Sequence, residues 1–259
     1  MTAPLPMTTG RRVALFLGLP VALAVIGWTA LTAVAYAGQA SYPVRLAIPV
    51  HGSTVSLSAG DGDVRVTQAP GSQLLLTGTA HYSIIRSTVT WHNTRSGVIV
   101  TPRCHFVAGN CSFDFHAVVP GGKRALISTG SGNVTLAGLS GPVNAATGSG
   151  DVSGNAVSGA NAAFKTGSGN ISVAGLAGAQ VTASSGSGDI TLTFTGVPAH
   201  VLVSTGSGNV SLVLPRGNTL YRVNANTDSG GRVVTVPTNS ASQHVITVSA
   251  GSGNITIAN

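Results

Sequence analysis

Glutamate is absent from this sequence, lysine occurs only at Lys123 and Lys165, and charged residues make up 7% of 259 positions. Water-facing helices draw on Glu and Lys for solubility and for i,i+4 pairs, so a fold built on charged helix surfaces is excluded. Acids are limited to six aspartates, Asp61, Asp63, Asp114, Asp151, Asp189 and Asp228. Aromatic residues contribute 5% and do not interleave with basic clusters, since Arg45, Arg65, Arg86, Arg103, Arg216, Arg222 and Arg232 stand far apart. The formal charge of +7 is thinly spread, Arg11 and Arg12 lying on the N-terminal flank, and no nucleic-acid partner is expected. A solubilising surface charge accounts for it, with weak attraction to anionic lipid or wall polymers as the sharper reading.

What fills the space is glycine, 35 residues of it, together with Val, Ile, Thr, Ala, Ser and Asn. β-Branched residues in short runs between glycines suit strands joined by tight turns, so the expected fold class is all-β. From Val13 to Ala37 the chain carries no charge, and as a helix this stretch reaches about 37 Å against a hydrocarbon core of roughly 30 Å. The flanking arginines predict a cytoplasmic N-terminus over 1–12, a transmembrane helix over 13–37, a linker over 38–45 and an extracytoplasmic domain over 46–259 at the cell membrane. Ala35-Tyr36-Ala37 before Gly38 also has the small-x-small form of a signal-peptide cleavage site. The apolar run exceeds the usual length of a cleaved core, which favours a retained single-pass anchor.

One phrase recurs through the second half: Thr129-Gly-Ser-Gly-Asn-Val134, Thr147-Gly-Ser-Gly-Asp-Val152, Thr166-Gly-Ser-Gly-Asn-Ile171, Ser185-Gly-Ser-Gly-Asp-Ile190, Thr205-Gly-Ser-Gly-Asn-Val210 and Ala250-Gly-Ser-Gly-Asn-Ile255. Ala59-Gly-Asp-Gly-Asp-Val64 is an early relative, and Ser229-Gly230-Gly231 a degenerate one. A period near 20 residues places the chain among solenoids, each unit a supersecondary element covered by its neighbours. After each phrase apolar residues alternate with Ser or Thr, as in Ile190-Thr-Leu-Thr-Phe194, the pattern of a strand with one buried face. The expectation is a β-solenoid of about 20-residue rungs, with a cap and early rungs over 46–125 and Gly-Ser-Gly rungs over 126–259. Its glycine corners would be Gly130, Gly132, Gly148, Gly150, Gly167, Gly169, Gly186, Gly188, Gly206, Gly208, Gly251 and Gly253, turning the chain through positive φ and close backbone approach. Asn133, Asp151, Asn170, Asp189, Asn209 and Asn254 beside them would bond nearby backbone and form a side-chain ladder.

The segment from Pro70 to Gly122 lacks the phrase and holds Tyr82, Trp91, Phe106, Phe113 and Phe115, material for a cap over an otherwise open sheet end. Cys104 and Cys111 are the only cysteines, and outside the cytosol a disulfide is the first reading. Zinc held with His105 and His116 is the alternative. Three features resemble the bacterial putative-adhesin family of β-strand-repeat surface domains: Gly60-Asp-Gly-Asp-Val64, the run Cys104-His-Phe-Val-Ala-Gly-Asn-Cys111 leading through Phe113-Asp-Phe115 to Val119-Pro120, and the Gly-Ser-Gly-[Asn/Asp] rungs. The resemblance implies an N-terminal membrane helix followed by a surface domain, and brings no catalytic residues.

No catalytic set emerges from the residues themselves. Asp151 and Asp189 would lie two rungs apart, about 9.6 Å, at the outer limit for an inverting glycosidase, but turn chemistry explains both. Calcium-binding β-rolls repeat every nine residues with an Asp in each, which this chain does not. Neither cofactor nor metal is expected. The reading is a structural or adhesive surface module whose cell-wall or surface ligand the sequence does not identify. A polysaccharide-active solenoid enzyme and a binder of ice or other surfaces through Thr135, Thr191, Thr256, Ser153, Ser172 and Ser211 are the alternatives.

Overall fold

The computed structural model describes residues 19–83, 85–104 and 111–259. One helix, α1 (Leu19–Ala37), precedes strands β1 (Ala40–Pro49), β2 (Thr54–Ser58), β3 (Val64–Ala69), β4 (Gln73–Tyr82), β5 (Thr88–Asn93), β6 (Gly97–Arg103) and β7 (Cys111–Pro120). The repeats supply pairs: β8 (Arg124–Thr129) with β9 (Val134–Ala137), β10 (Val143–Thr147) with β11 (Val152–Asn155), and β12 (Asn161–Thr166) with β13 (Ile171–Leu176). They continue as β14 (Gln180–Ser185) with β15 (Ile190–Phe194), β16 (His200–Ser207) with β17 (Val210–Val213), β18 (Arg222–Ser229) with β19 (Arg232–Val234), and β20 (Val245–Ser252) with β21 (Ile255–Ala258). Each phrase is the corner between the members of a pair. The first member joins a 10-stranded sheet and the second an 11-stranded sheet, and like strands stack in parallel from rung to rung.

Alternation in the sequence becomes columns in the core. Val64, Val134, Val152, Ile171, Ile190, Val210 and Ile255 stack in register on the inner face of the 11-stranded sheet, all nearly inaccessible. Opposite them run Leu57, Ile127, Ala145, Phe164, Ala183, Val203 and Val248, where the one large ring sits between two alanines and so fits at native density.

Rungs do not stack wholly in chain order. At one end β20 and β21 lie between the β16/β17 rung and the β18/β19 rung, so the last intact phrase is inserted before the degenerate one. At the other end β2 and β3 pair directly with β8 and β9, and β6 and β7 lie outside them. Antiparallel β1, β4 and β5 finish that end, with Pro43 and Pro49 on the edge strand β1. Residues 40–45, expected as linker, thus belong to β1, because the alternating Tyr42, Val44 and Leu46 pack on the core.

No helix among the described residues is long and apolar enough to cross a membrane. The described helix spans 19 residues, roughly 28 Å, and the residues 13–18 of the apolar run lie outside the described ones.

Candidate functional site: the glycine corner and the adjoining hydroxyl row

The glycines of the phrase answer to stacking more than to φ. Apart from Gly208 and Gly253, none of the phrase glycines from Gly130 onward has positive φ. A β-carbon on Gly150, Gly169 or Gly188 would instead collide with the carbonyl oxygen of Gly132, Gly150 or Gly169 on the adjoining rung. The first glycines behave alike, a β-carbon on Gly251 falling 2.6 Å from the Gly206 oxygen. Of the two reasons expected for glycine at these corners, positive φ does not hold for most of them and close backbone approach does: what forbids a side chain is the next rung. A second such column, Gly141, Gly159 and Gly178, lines another corner, where each would meet the preceding rung's backbone. Its regular spacing in the sequence was the available signal.

Two hydrogen-bond ladders run through the glycine corner. On the outside, a carboxylate or amide oxygen on one rung accepts the backbone N–H of the next: Asp63 from Asn133 (2.7 Å), Asn133 from Asp151 (2.9 Å), Asp151 from Asn170 (2.7 Å), Asn170 from Asp189 (2.9 Å), Asp189 from Asn209 (2.6 Å) and Asn209 from Asn254 (3.0 Å). Asn254 accepts from Gly231 at 2.8 Å, and at the opposite end Asp114 accepts from Asp63 at 2.9 Å. On the inside, buried hydroxyls of Thr147, Thr166, Ser185 and Thr205 donate to the carbonyls of Gly132, Gly150, Gly169 and Gly188 at 2.8–2.9 Å. Sequence reasoning missed this inner ladder. Its signal was the hydroxyl residue that opens every Gly-Ser-Gly phrase except the last, where Ala250 stands, as Ala59 does in the early relative.

All six carboxylates of the chain lie along this corner. From Asp63 onward, Asp63, Asp151 and Asp189 alternate with Asn133, Asn170 and Asn209, so these three carboxylates sit two rungs apart, about 9.6 Å, which limits their mutual repulsion; Asp114 adjoins Asp63 at the cap end. Asp61 accepts from the Ser131 hydroxyl, Asp228 precedes Ser229-Gly230, and Asp114 pairs with His81 at 3.3 Å. Asp151 and Asp189 each have one carboxylate oxygen occupied by a backbone N–H, as turn residues do. Cys104 and Cys111 are joined by a disulfide, their α-carbons 5.9 Å apart; His105 lies outside the described residues, and His116 instead meets the Thr67 hydroxyl at 3.2 Å. No group of three or more His, Cys or acidic residues able to hold a metal occurs among the described residues.

Next to the corner, the outer face of the 11-stranded sheet carries one residue per strand in register. The row reads Arg45, Thr77, His116, Arg65, Thr135, Ser153, Ser172, Thr191, Ser211, Thr256 and Val233. Where it meets the cap, Asp63, Arg65, Thr77, Thr79, Asp114 and His116 line a groove of about 420 Å³.

At the far end Tyr221 closes the core, its ring edge-on to His244, whose Nδ1 lies 2.8 Å from the Pro198 carbonyl. Burial pushes the Tyr221 phenol above its ordinary value of 10.0, the nearby Thr219 hydroxyl offsetting part of the rise. Among the described residues no hydrogen bond of ordinary geometry reaches its oxygen.

The family model described as Toastrack DUF4097 matches residues 122–258. A crystal structure described as a "putative cell adhesion protein" from Clostridium sporogenes is similar at 15% identity and a TM-score of 0.43, covering 85% of this chain and 99% of that one. No curated protein matches.

Proposed function

Because the chain belongs to the toastrack family of β-repeat domains, we propose that it is a surface module tethered to the cell membrane by its N-terminal helix, acting by interaction or as a scaffold and without catalysis. The observation that carries this reading is the helix itself. Leu19, Val21, Leu23, Val25, Ile26 and Trp28 are 54% to 68% exposed, so over these positions α1 presents apolar surface that none of the described residues of the solenoid covers. A bilayer supplies that cover, and the uncharged residues 13–18 extend the run toward Arg11 and Arg12. Only Gly38 and Gln39 separate α1 from β1, which holds the solenoid close to the outer leaflet.

The test is expression in a bacterial host with alkaline carbonate extraction, protease shaving of intact cells and mass spectrometry of the N-terminus. The full chain is expected in the extracted membrane with its solenoid accessible from outside. Recovery in the soluble fraction, or a mature chain beginning at Gly38, overturns the tether.

A further inference from the structure

We propose that the outer face of the 11-stranded sheet binds a linear, β-linked pyranose glycan laid along the stack axis and seated at one end in the groove around Arg65 and His116. The proposal rests on the surface-interaction reading above and gives it a ligand class. It starts from the register. Thr135, Ser153, Ser172, Thr191, Ser211 and Thr256 are one unbroken hydroxyl line over six rungs, ending at Arg65 on one side and at the exposed Val233 on the other. Rungs repeat at about 4.8 Å, close to the length of one pyranose in an extended β-linked chain, so a disaccharide spans about two rungs and alternate sugars meet alternate hydroxyls in the same way.

Solubility alone does not account for the line. On the 10-stranded sheet, equally in need of wetting, the row beside the corner is Ser58, Ser128, Ala146, Lys165, Ser184, Ser204 and Ser249, a hydroxyl line interrupted by Ala146 and Lys165, and the next row is Leu126, Asn144, Ala163, Thr182, Leu202 and Thr247, with Leu202 51% exposed. Ice would need a second rank of hydroxyls beside the first to match a two-dimensional lattice. Two residues along each strand the residues are instead Ala137, Asn155, Ala174, Thr193, Val213 and Ala258, four of them apolar, and the rank is interrupted between Ala174 and Thr193 where the register of β13 and β15 shifts. A hydroxyl rank beside an apolar rank suits a pyranose, which has a polar rim and C–H faces.

The groove supplies the end of the site. Within about 420 Å³ it brings together the Asp63 and Asp114 carboxylates, the Arg65 guanidinium, the His116 imidazole and the hydroxyls of Thr77 and Thr79. Thr67 meets His116 Nε2 at 3.2 Å, while Arg65 reaches no carboxylate among the described residues. A purely anionic polymer would meet two carboxylates here and a cationic one the arginine. A ligand offering both donors and acceptors satisfies the set.

The experiment titrates the full chain in nanodiscs into fluorescein-labelled cellohexaose and chitohexaose and follows polarisation. Binding of at least one is expected, weakened about tenfold or more by Arg65→Ala and by Ser172→Lys, with Thr182→Lys on the other sheet without effect. No polarisation change up to millimolar protein for either sugar overturns the proposal, as does equal loss from Ser172→Lys and Thr182→Lys. Adsorption of the full chain to intact cells is measured in parallel. Adsorption that survives Arg65→Ala and Ser172→Lys leaves the interaction reading standing and removes this site, whereas no adsorption at all removes both.

Discussion

Gly169→Ala probes the central physical claim, that the stack of rungs excludes side chains from the corner. The new β-carbon would press on the Gly150 carbonyl and lie 2.9 Å from Asp151 Oδ1. Gly169 has no positive φ, so its own backbone tolerates alanine and the whole penalty comes from the neighbouring rung. Relief requires opening the corner, which strains or breaks Asn170 N–H to Asp151 (2.7 Å), Thr166 Oγ1 to Gly150 (2.8 Å) and Gly169 N–H to Thr166 (3.0 Å). At about 1 kcal/mol for each bond, with more for groups left buried and unpaired, the loss is about 3–5 kcal/mol. Gly122→Ala is the control: its φ is +71°, but nothing lies near its β-carbon, so only backbone strain of about 1–2 kcal/mol applies. Urea denaturation followed by circular dichroism, with hydrogen exchange to locate the opened rungs, compares the two. Equal destabilisation by both substitutions, or a Gly169→Ala loss below that of the control, would refute the reasoning.

The inner ladder predicts that Thr166→Val, which keeps the shape and removes the hydroxyl, lowers stability by about 1–2 kcal/mol, while Ala250→Thr raises it by about 1 kcal/mol by offering Gly208 a donor; urea midpoints check both. Asn170→Asp retains an oxygen for the Asp189 N–H but sets a third carboxylate between Asp151 and Asp189, so a loss of about 1 kcal/mol or more is expected at low salt, most of it regained when salt screens the repulsion; urea midpoints at two ionic strengths check it. Replacing Cys104 and Cys111 by Ser should weaken the cap by about 2.5 kcal/mol, with hydrogen exchange rising in β4 and β7 and not in β12 to β15. Because Tyr221 titrates higher when folded, ionisation above pH 10 favours the unfolded chain, so stability falls as pH rises past that value, and Tyr221→Phe should remove that part of the alkaline fall.

Much of this architecture was legible because the repeat writes the same physics several times. An inward Val or Ile after every Asn or Asp marks the strand entry, and the glycines mark where backbones approach. The order of rungs at the two ends was not legible. Strand pairing is a backbone interaction, and nothing in Ser229-Gly230-Gly231 or Gly251-Ser-Gly253 says which stacks on Gly208. The structure gives that place to Gly253, the intact phrase, with Gly230 outside it. Asp114 was equally hidden: it reaches the corner through β7, whose pairing with β3 is set by contacts far apart in sequence. The hydroxyl row was visible residue by residue, but its continuation through Arg65, His116 and Thr77 depends on that same excursion.

The crossed order of rungs at both ends limits how such a protein can change size. Between β8/β9 and β16/β17, neighbours in the chain are neighbours in the stack, so duplicating or deleting one unit of about 20 residues there leaves every other pairing intact. A unit gained beside β2/β3 or β20/β21 would have to be threaded between strands already joined on both sides. Length variation among homologues should therefore be confined to the middle, with both crossed ends inherited as fixed blocks.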